Sequence, residues 1–231
     1  LKLFLILLLL PAAAFAQQQA SKRTCRILFL EGPDNGPETL QLFDGSKCRE
    51  VELPRMNLSK VYELPAGPVN LRLLPAPPTD PSKIPPEAPG VVVAEGMTDI
   101  YLLVSSDPAN TIAPVRMQAI NAGSDKLKLG QTLWFNLTKN AVGGTFGSET
   151  LKILPEERVV INAPTTDSGD FPVKLFFRIP GDERLYPLCQ NKWRHDPRCR
   201  YVGFIVTENG RRSPRVMRFS DFREPPPKKT P

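Results

Sequence analysis

Tyr201–Phe219, YVGFIVTENGRRSPRVMRF, is the stretch from which the rest of the chain can be read. Two strand-like runs flank Asn209-Gly210, the dipeptide that most readily takes the positive φ angles of a two-residue hairpin turn. Pairing across that turn sets Glu208 against Arg211 and Thr207 against Arg212. Pro214 has no amide proton, which predicts that the second hairpin strand lies at a sheet edge. Just upstream, Cys189-QNKWRHDPR-Cys199 reads as a short, positively charged loop bounded by cysteines.

Working outward, 26 prolines and 15 glycines in 231 residues argue for short strands joined by turns. No window carries the 3.6-residue apolar period of a long amphipathic helix. Val69, Leu71 and Leu73 alternate with Asn70 and Arg72, the pattern of a strand with one buried face. Val173-Lys-Leu-Phe-Phe-Arg-Ile179 is more apolar than alternating and reads as a central strand packed on both sides. Gly143–Gly147 reads as a hairpin connection, and Pro75–Gly90 as a rigid proline-rich loop. The predicted class is all-β, with two tandem immunoglobulin-like β-sandwich domains at residues 25–110 and 111–223, the second opening with Val115–Ile120. A 90-residue offset aligns Arg26 with Arg116 and Leu64-Pro65 with Leu154-Pro155, an internal repeat of strand, turn and strand.

At the N-terminus, the apolar run Leu3–Leu10 followed by Ala14-Phe15-Ala16 predicts a secretory signal cleaved after Ala16. A polar linker (17–24) follows, and the segment from Glu224 to Pro231 reads as a solvated tail. The run is far shorter than the roughly 20 residues of a spanning helix, and no later segment is longer, so no transmembrane segment is expected in the mature chain. The expected location is outside the cytoplasm, periplasmic or secreted. Four cysteines in an exported chain predict two disulfides, and sequence proximity favours Cys25–Cys48 and Cys189–Cys199.

Charge is unevenly placed. Residues 1–113 hold 10 Lys/Arg against 12 Asp/Glu, whereas residues 184–229 alone hold 12 against 4. The +6 net charge of the chain therefore originates around the C-terminal hairpin. His195 is the single histidine and sits among arginines, which removes Ser-His-Asp and Cys-His mechanisms and histidine metal centres. Asp167 and Asp170 lie in a Thr-Thr-Asp-Ser-Gly-Asp turn, where such residues are ordinary. The glycine-rich stretch lacks the Lys-Ser/Thr of a phosphate loop. No catalytic residue, cofactor or metal is expected.

The function this predicts is that of an exported, non-catalytic binding or structural protein of the cell envelope. Its basic hairpin and loop would contact an anionic cell-surface polymer or an acidic protein, with nucleic acid ranked last. The residues expected to carry binding are Arg194, Arg198, Arg211, Arg212 and Arg215, with Trp193 as a stacking anchor. Two exported β-sandwich units with a basic balance are similar in profile, not in motifs, to the periplasmic chaperones of pilus assembly; Arg26 near the first strand does not carry over that family's anchoring role. That similarity implies the alternative, an assembly factor acting by sheet-edge pairing; an undetected hydrolase is the other.

Overall fold

The computed structural model describes residues 23–207 and 210–222. The predicted signal and C-terminal tail, and Asn209 of the predicted turn, lie outside them. The first half contains β1 (Arg23–Phe29), β2 (Thr39–Phe43), β3 (Cys48–Glu52), β4 (Tyr62–Leu64), β5 (Val69–Leu74), β6 (Gly90–Val93), β7 (Asp99–Ser106) and β8 (Val115–Asn121). The second contains β9 (Thr132–Asn136), β10 (Ala141–Phe146), β11 (Glu149–Ile153), β12 (Arg158–Ile161), β13 (Gly169–Arg178), β14 (Tyr186–His195), β15 (Cys199–Val206) and β16 (Arg215–Phe222). The one helical element among the described residues is a 3-10 turn at Pro81–Lys83 in the proline-rich loop.

The strands form four four-stranded sheets, two in each half. The first half has the orders β4-β1-β7-β8 and β3-β2-β5-β6; the second has β12-β9-β15-β16 and β11-β10-β13-β14. Raising every strand number by eight converts one half into the other, including the parallel pairs β1/β7 and β9/β15. The protein is therefore two tandem β-sandwiches related by an internal repeat. The repeat falls at about one hundred residues, Asp99 answering Cys199 at the start of β7 and β15, and not at the 90-residue offset of the sequence alignment. The strand order also departs from the immunoglobulin pattern, which puts the second and third strands in opposite sheets. Here β2 and β3 are direct neighbours.

Side-chain alternation stacks the sheets in four layers. Ile27, Phe29, Leu42, Leu71 and Leu102 fill the first sandwich, and Trp134, Phe146, Leu151, Val173 and Ile205 fill the second. A third core, with Leu28, Tyr101, Ile120, Val202, Phe204 and Phe219, lies between the two inner sheets and joins the sandwiches. The inner sheets are consequently apolar on both faces. All eight residues of β15 are buried, while β13 alternates buried and exposed along its length. The strand covered on both sides is thus β15; Val173–Ile179 belongs to an outer sheet with one face in solvent.

Several sequence expectations change for identifiable reasons. Val115–Asn121, expected to open the second unit, pairs antiparallel with β7 as an edge strand of the first. Arg23 and Thr24, assigned to the linker, already belong to β1, where the Arg23 guanidinium donates to the carbonyls of Pro65, Gly67 and Ala94. Gly143–Phe146 lies within β10. The 189–199 segment is mostly strand, because β14 pairs along β13 up to Gly169↔His195.

The hairpin expected at 201–219 is present and β16 is an edge strand, although Pro214, on which that expectation rested, precedes the strand. The hairpin register differs by two residues. Val206 pairs with Arg215, so the strands end before the predicted turn and Thr207 has no strand partner; Glu208, expected opposite Arg211, lies outside the described residues. Gly210 does take a positive φ of 79°.

The four cysteines are free thiols. Bridging needs Cα atoms within about 7 Å. From Cys189 to His195 the chain runs extended for roughly 20 Å at 3.3 Å per residue before turning back to Cys199. Cys25 faces the first core, whereas Cys48 packs in a separate cluster with Phe43, Leu74 and Ile84. Burial pushes the Cys25 thiol up to about 12.

Candidate functional site

The basic side chains of the C-terminal third are distributed by strand geometry, not gathered in one loop. The Val206↔Arg215 and Cys199↔Phe222 pairs close opposite ends of the β15–β16 hairpin. Seven residues of strand separate them, about 23 Å. Arg215 lies at the first end, in a groove of about 700 Å³ at the junction of the two sandwiches, beside Glu31, Glu38 and Glu52. Arg211 and Arg212 are exposed in the neighbouring connection. Arg198 lies at the other end, ion-paired with Asp196 at 2.7 Å and over the Phe222 ring at 5.4 Å. The hydrogen bonds from Arg198 hold the Asp196 carboxyl down at about 2. The six residues singled out in the sequence therefore do not form one patch.

Trp193 and Arg194 do meet, on β14, at the seam where that edge strand faces edge strand β16. Successive side chains of a strand point to opposite faces. Trp193 accordingly turns inward and Arg194 outward. Trp193 is half-buried, stacked on Trp134 with centroids 6.1 Å apart and edge-on to Phe146. It is mainly a core residue with an exposed rim.

Across the seam stands Arg218 of β16, which was not among the predicted site residues. Its guanidinium lies 3.3 Å from the Tyr201 ring centroid, with Phe146 and Phe171 within 6 Å. Nη1 donates to the Arg194 carbonyl at 3.1 Å and so ties the two edge strands together. Nη2 is buried without a hydrogen-bond partner, and among the described residues no carboxylate lies within ion-pair distance. Burial lowers its pKa to about 10, so it remains a cation at neutral pH. Trp193, Arg194, Tyr201, Arg218 and Ser220 line a shallow depression of about 360 Å³. Tyr201 and Arg218 both lie in the basic hairpin read from the sequence; their convergence with Phe146 and Phe171 depended on edge strand β16 lying against edge strand β14 of the other sheet.

His195 is fully buried beside Phe171 and Tyr201, with both ring nitrogens unpartnered. Burial first, and then the Arg218 charge, depress its pKa below 6.5. Native and unfolded imidazoles are both neutral well above that value. Below it the unfolded chain takes up the proton first, so stability falls as pH drops from about 6.5 toward the native pKa. His195→Phe is expected to flatten this part of a plot of urea midpoint against pH; an unchanged slope would place its origin elsewhere.

Of the two Asn-x-Ser/Thr sequences, Asn136 is buried and its amide donates to the carbonyls of Asn140 and Leu154, while Asn57 is exposed. Arg26 is not a surface anchor; it pairs with Asp221 at 2.8 Å in the seam between the sandwiches. Among the described residues no helix is long and apolar enough to cross a membrane, and no cluster of His, Cys, Asp or Glu could hold a metal ion. No protein-family model matches the chain, and no curated protein matches it in sequence.

Proposed function

We propose that this chain is an exported, non-catalytic binding or structural protein of the cell envelope that holds an anionic partner, a surface polymer or an acidic protein, through its C-terminal half. The observation that carries this reading is Arg218, a guanidinium largely withdrawn from water, without a carboxylate partner among the described residues, at the mouth of a depression beside Arg194. A cation desolvated in this way gains from a neighbouring anion far more than an exposed one does. The concentration of positive charge in residues 184–229 acts in the same direction at longer range. The purified mature chain is expected to bind cell-envelope material at low ionic strength and to release it as salt is added, because exposed charges are screened over about 8 Å at physiological salt. Binding that survives high salt would instead support edge pairing along β14, the outermost strand of its sheet, where backbone hydrogen bonds supply the affinity.

A further inference from the structure

The outer face of the β11-β10-β13-β14 sheet carries a regular arrangement of charge. Residues two apart on a strand share a face and lie about 6.8 Å apart. On β13 the outward positions are Asp170, Pro172, Lys174, Phe176 and Arg178, each exposed while its neighbours are buried. The register gives the residues beside them. Arg194 pairs with Asp170, Lys192 with Pro172, and Lys152 joins the Phe176 row through Gly143. Five successive rows therefore present Arg194, Lys192, Lys174, Lys152 and Arg178, one cation to each row, over about 27 Å. All five are exposed, and among the described residues none has a carboxylate within ion-pair distance. Asp170 is the one carboxylate on these rows. Near the Arg178 end, Glu183 flanks the face and Asp182 is engaged by Arg184 and Tyr186.

Resting on the reading that the C-terminal half holds an anionic partner, we propose that this face is a track for a linear polyanion lying along β13 and β14. The partner class is a carboxylated or sulfated polysaccharide, its negative groups meeting the cations row by row. Three features select an extended polymer. One exposed cation falls in every row, on β14, β13 or β11, within a band about 14 Å wide; the residues among them are mostly small (Gly143, Thr145, Pro172), and depressions adjoin the face only at its two ends, beside Arg194 and Arg178. A lipid surface would call for several inserted apolar side chains, whereas Phe176, 37% exposed, is the one large apolar residue on the rows. Arg211, Arg212 and Arg215 lie off this face, at the end of the β15–β16 hairpin.

The test is binding of the mature protein to polygalacturonate and to dextran sulfate at low ionic strength. Three variants accompany it: Lys174→Glu/Lys192→Glu, the milder Lys174→Gln/Lys192→Gln, and Arg211→Glu/Arg212→Glu. The wild-type chain is expected to bind polymer and to ignore monomeric galacturonate at the same carboxylate concentration. Reversing two central cations is expected to weaken binding about tenfold or more, the neutral pair less, with the connection variant within about twofold of wild type. Loss in the connection variant with binding kept in the face variants would overturn the track and leave the anionic-partner reading standing. Failure of the wild type to bind either polymer would overturn the track; loss of the salt-sensitive binding to cell-envelope material as well would remove the anionic-partner reading. Capture by vesicles containing anionic phospholipid, without polymer binding, would assign the face to a membrane and overturn the proposal.

Discussion

Asp221→Ala is expected to destabilise the folded chain by about 3–5 kcal/mol, the loss typical of removing one partner from a buried ion pair. Asp221 is fully buried on β16 in the seam between the sandwiches. It accepts from the Tyr101 hydroxyl at 2.7 Å, from Arg26 at 2.8 Å and from Arg200 Nη2 at 2.6 Å. Arg200 also pairs with Asp99 at 2.6 Å and donates to the Ala122 carbonyl. Burial alone would lower the Arg200 pKa; Tyr101, Asp99 and Asp221 outweigh it and raise it well above the ordinary value. Without Asp221, Arg26 loses its carboxylate and Arg200 keeps only Asp99, both in a desolvated seam. Tyr101→Phe removes one hydrogen bond and should cost about 1 kcal/mol. Urea denaturation of the three proteins checks the order. A loss below about 1 kcal/mol for Asp221→Ala would mean that water reaches the seam and that the contact between the sandwiches is loose.

Gly203→Ala is the second substitution with a large expected effect. A Cβ at Gly203 would stand 2.4 Å from Cε3 of Trp134, well inside van der Waals contact. Trp134 cannot give way: it is fully buried, with Phe146 edge-on and Trp193 stacked. Gly203 and Trp134 are register partners on β15 and β9, whereas an inward-facing register pair of β7 and β1 in the first sandwich is Leu102 and Ile27. Two medium side chains meet in one half, a large one against none in the other. Overpacking of this kind costs about 1–3 kcal/mol, and the rigid ring puts the expected loss at the upper end. Adding Trp134→Leu to Gly203→Ala should recover part of it. Equal stability of Gly203→Ala and wild type in urea would show that β15 shifts to make room.

Much of the architecture was legible locally. The all-β class follows from proline and glycine frequency and from alternation such as Val69–Leu74, whose inward residues are the buried ones. β16 is an edge strand as expected, but Pro214 stands outside it in the connection, while Pro172 lies within β13, a central strand of its sheet, so proline position alone did not decide which strands are edges. Val173–Ile179 and Tyr201–Val206 look alike in hydrophobicity, yet one has a wet face and the other is covered on both sides. Part of that difference is local, since Lys174 and Arg178 stand at outward positions of the first segment and the second carries no charge; which sheet faces the other sandwich decides the rest. The disulfides were drawn from sequence proximity, which an extended strand between Cys189 and His195 defeats.

The candidate surface divides in the same way. Its positive charge and its place in the C-terminal third were visible from composition, because net charge does not depend on how the chain folds. Lys192 belonged to the positively charged 189–199 segment, whereas Lys152 and Lys174 carried no signal of their own, each being an isolated lysine in a separate segment. Lys152 and Lys192 share a face because β10 and β13 lie between their strands in one register, a relation set by backbone hydrogen bonds between distant segments. The sequence by itself determined the strands, their polarity and the overall charge, all short-range or additive properties. The tertiary structure decided which faces are buried twice, which cysteines stand apart and which cations align, since these depend on long-range pairing and on the packing of one sandwich against the other.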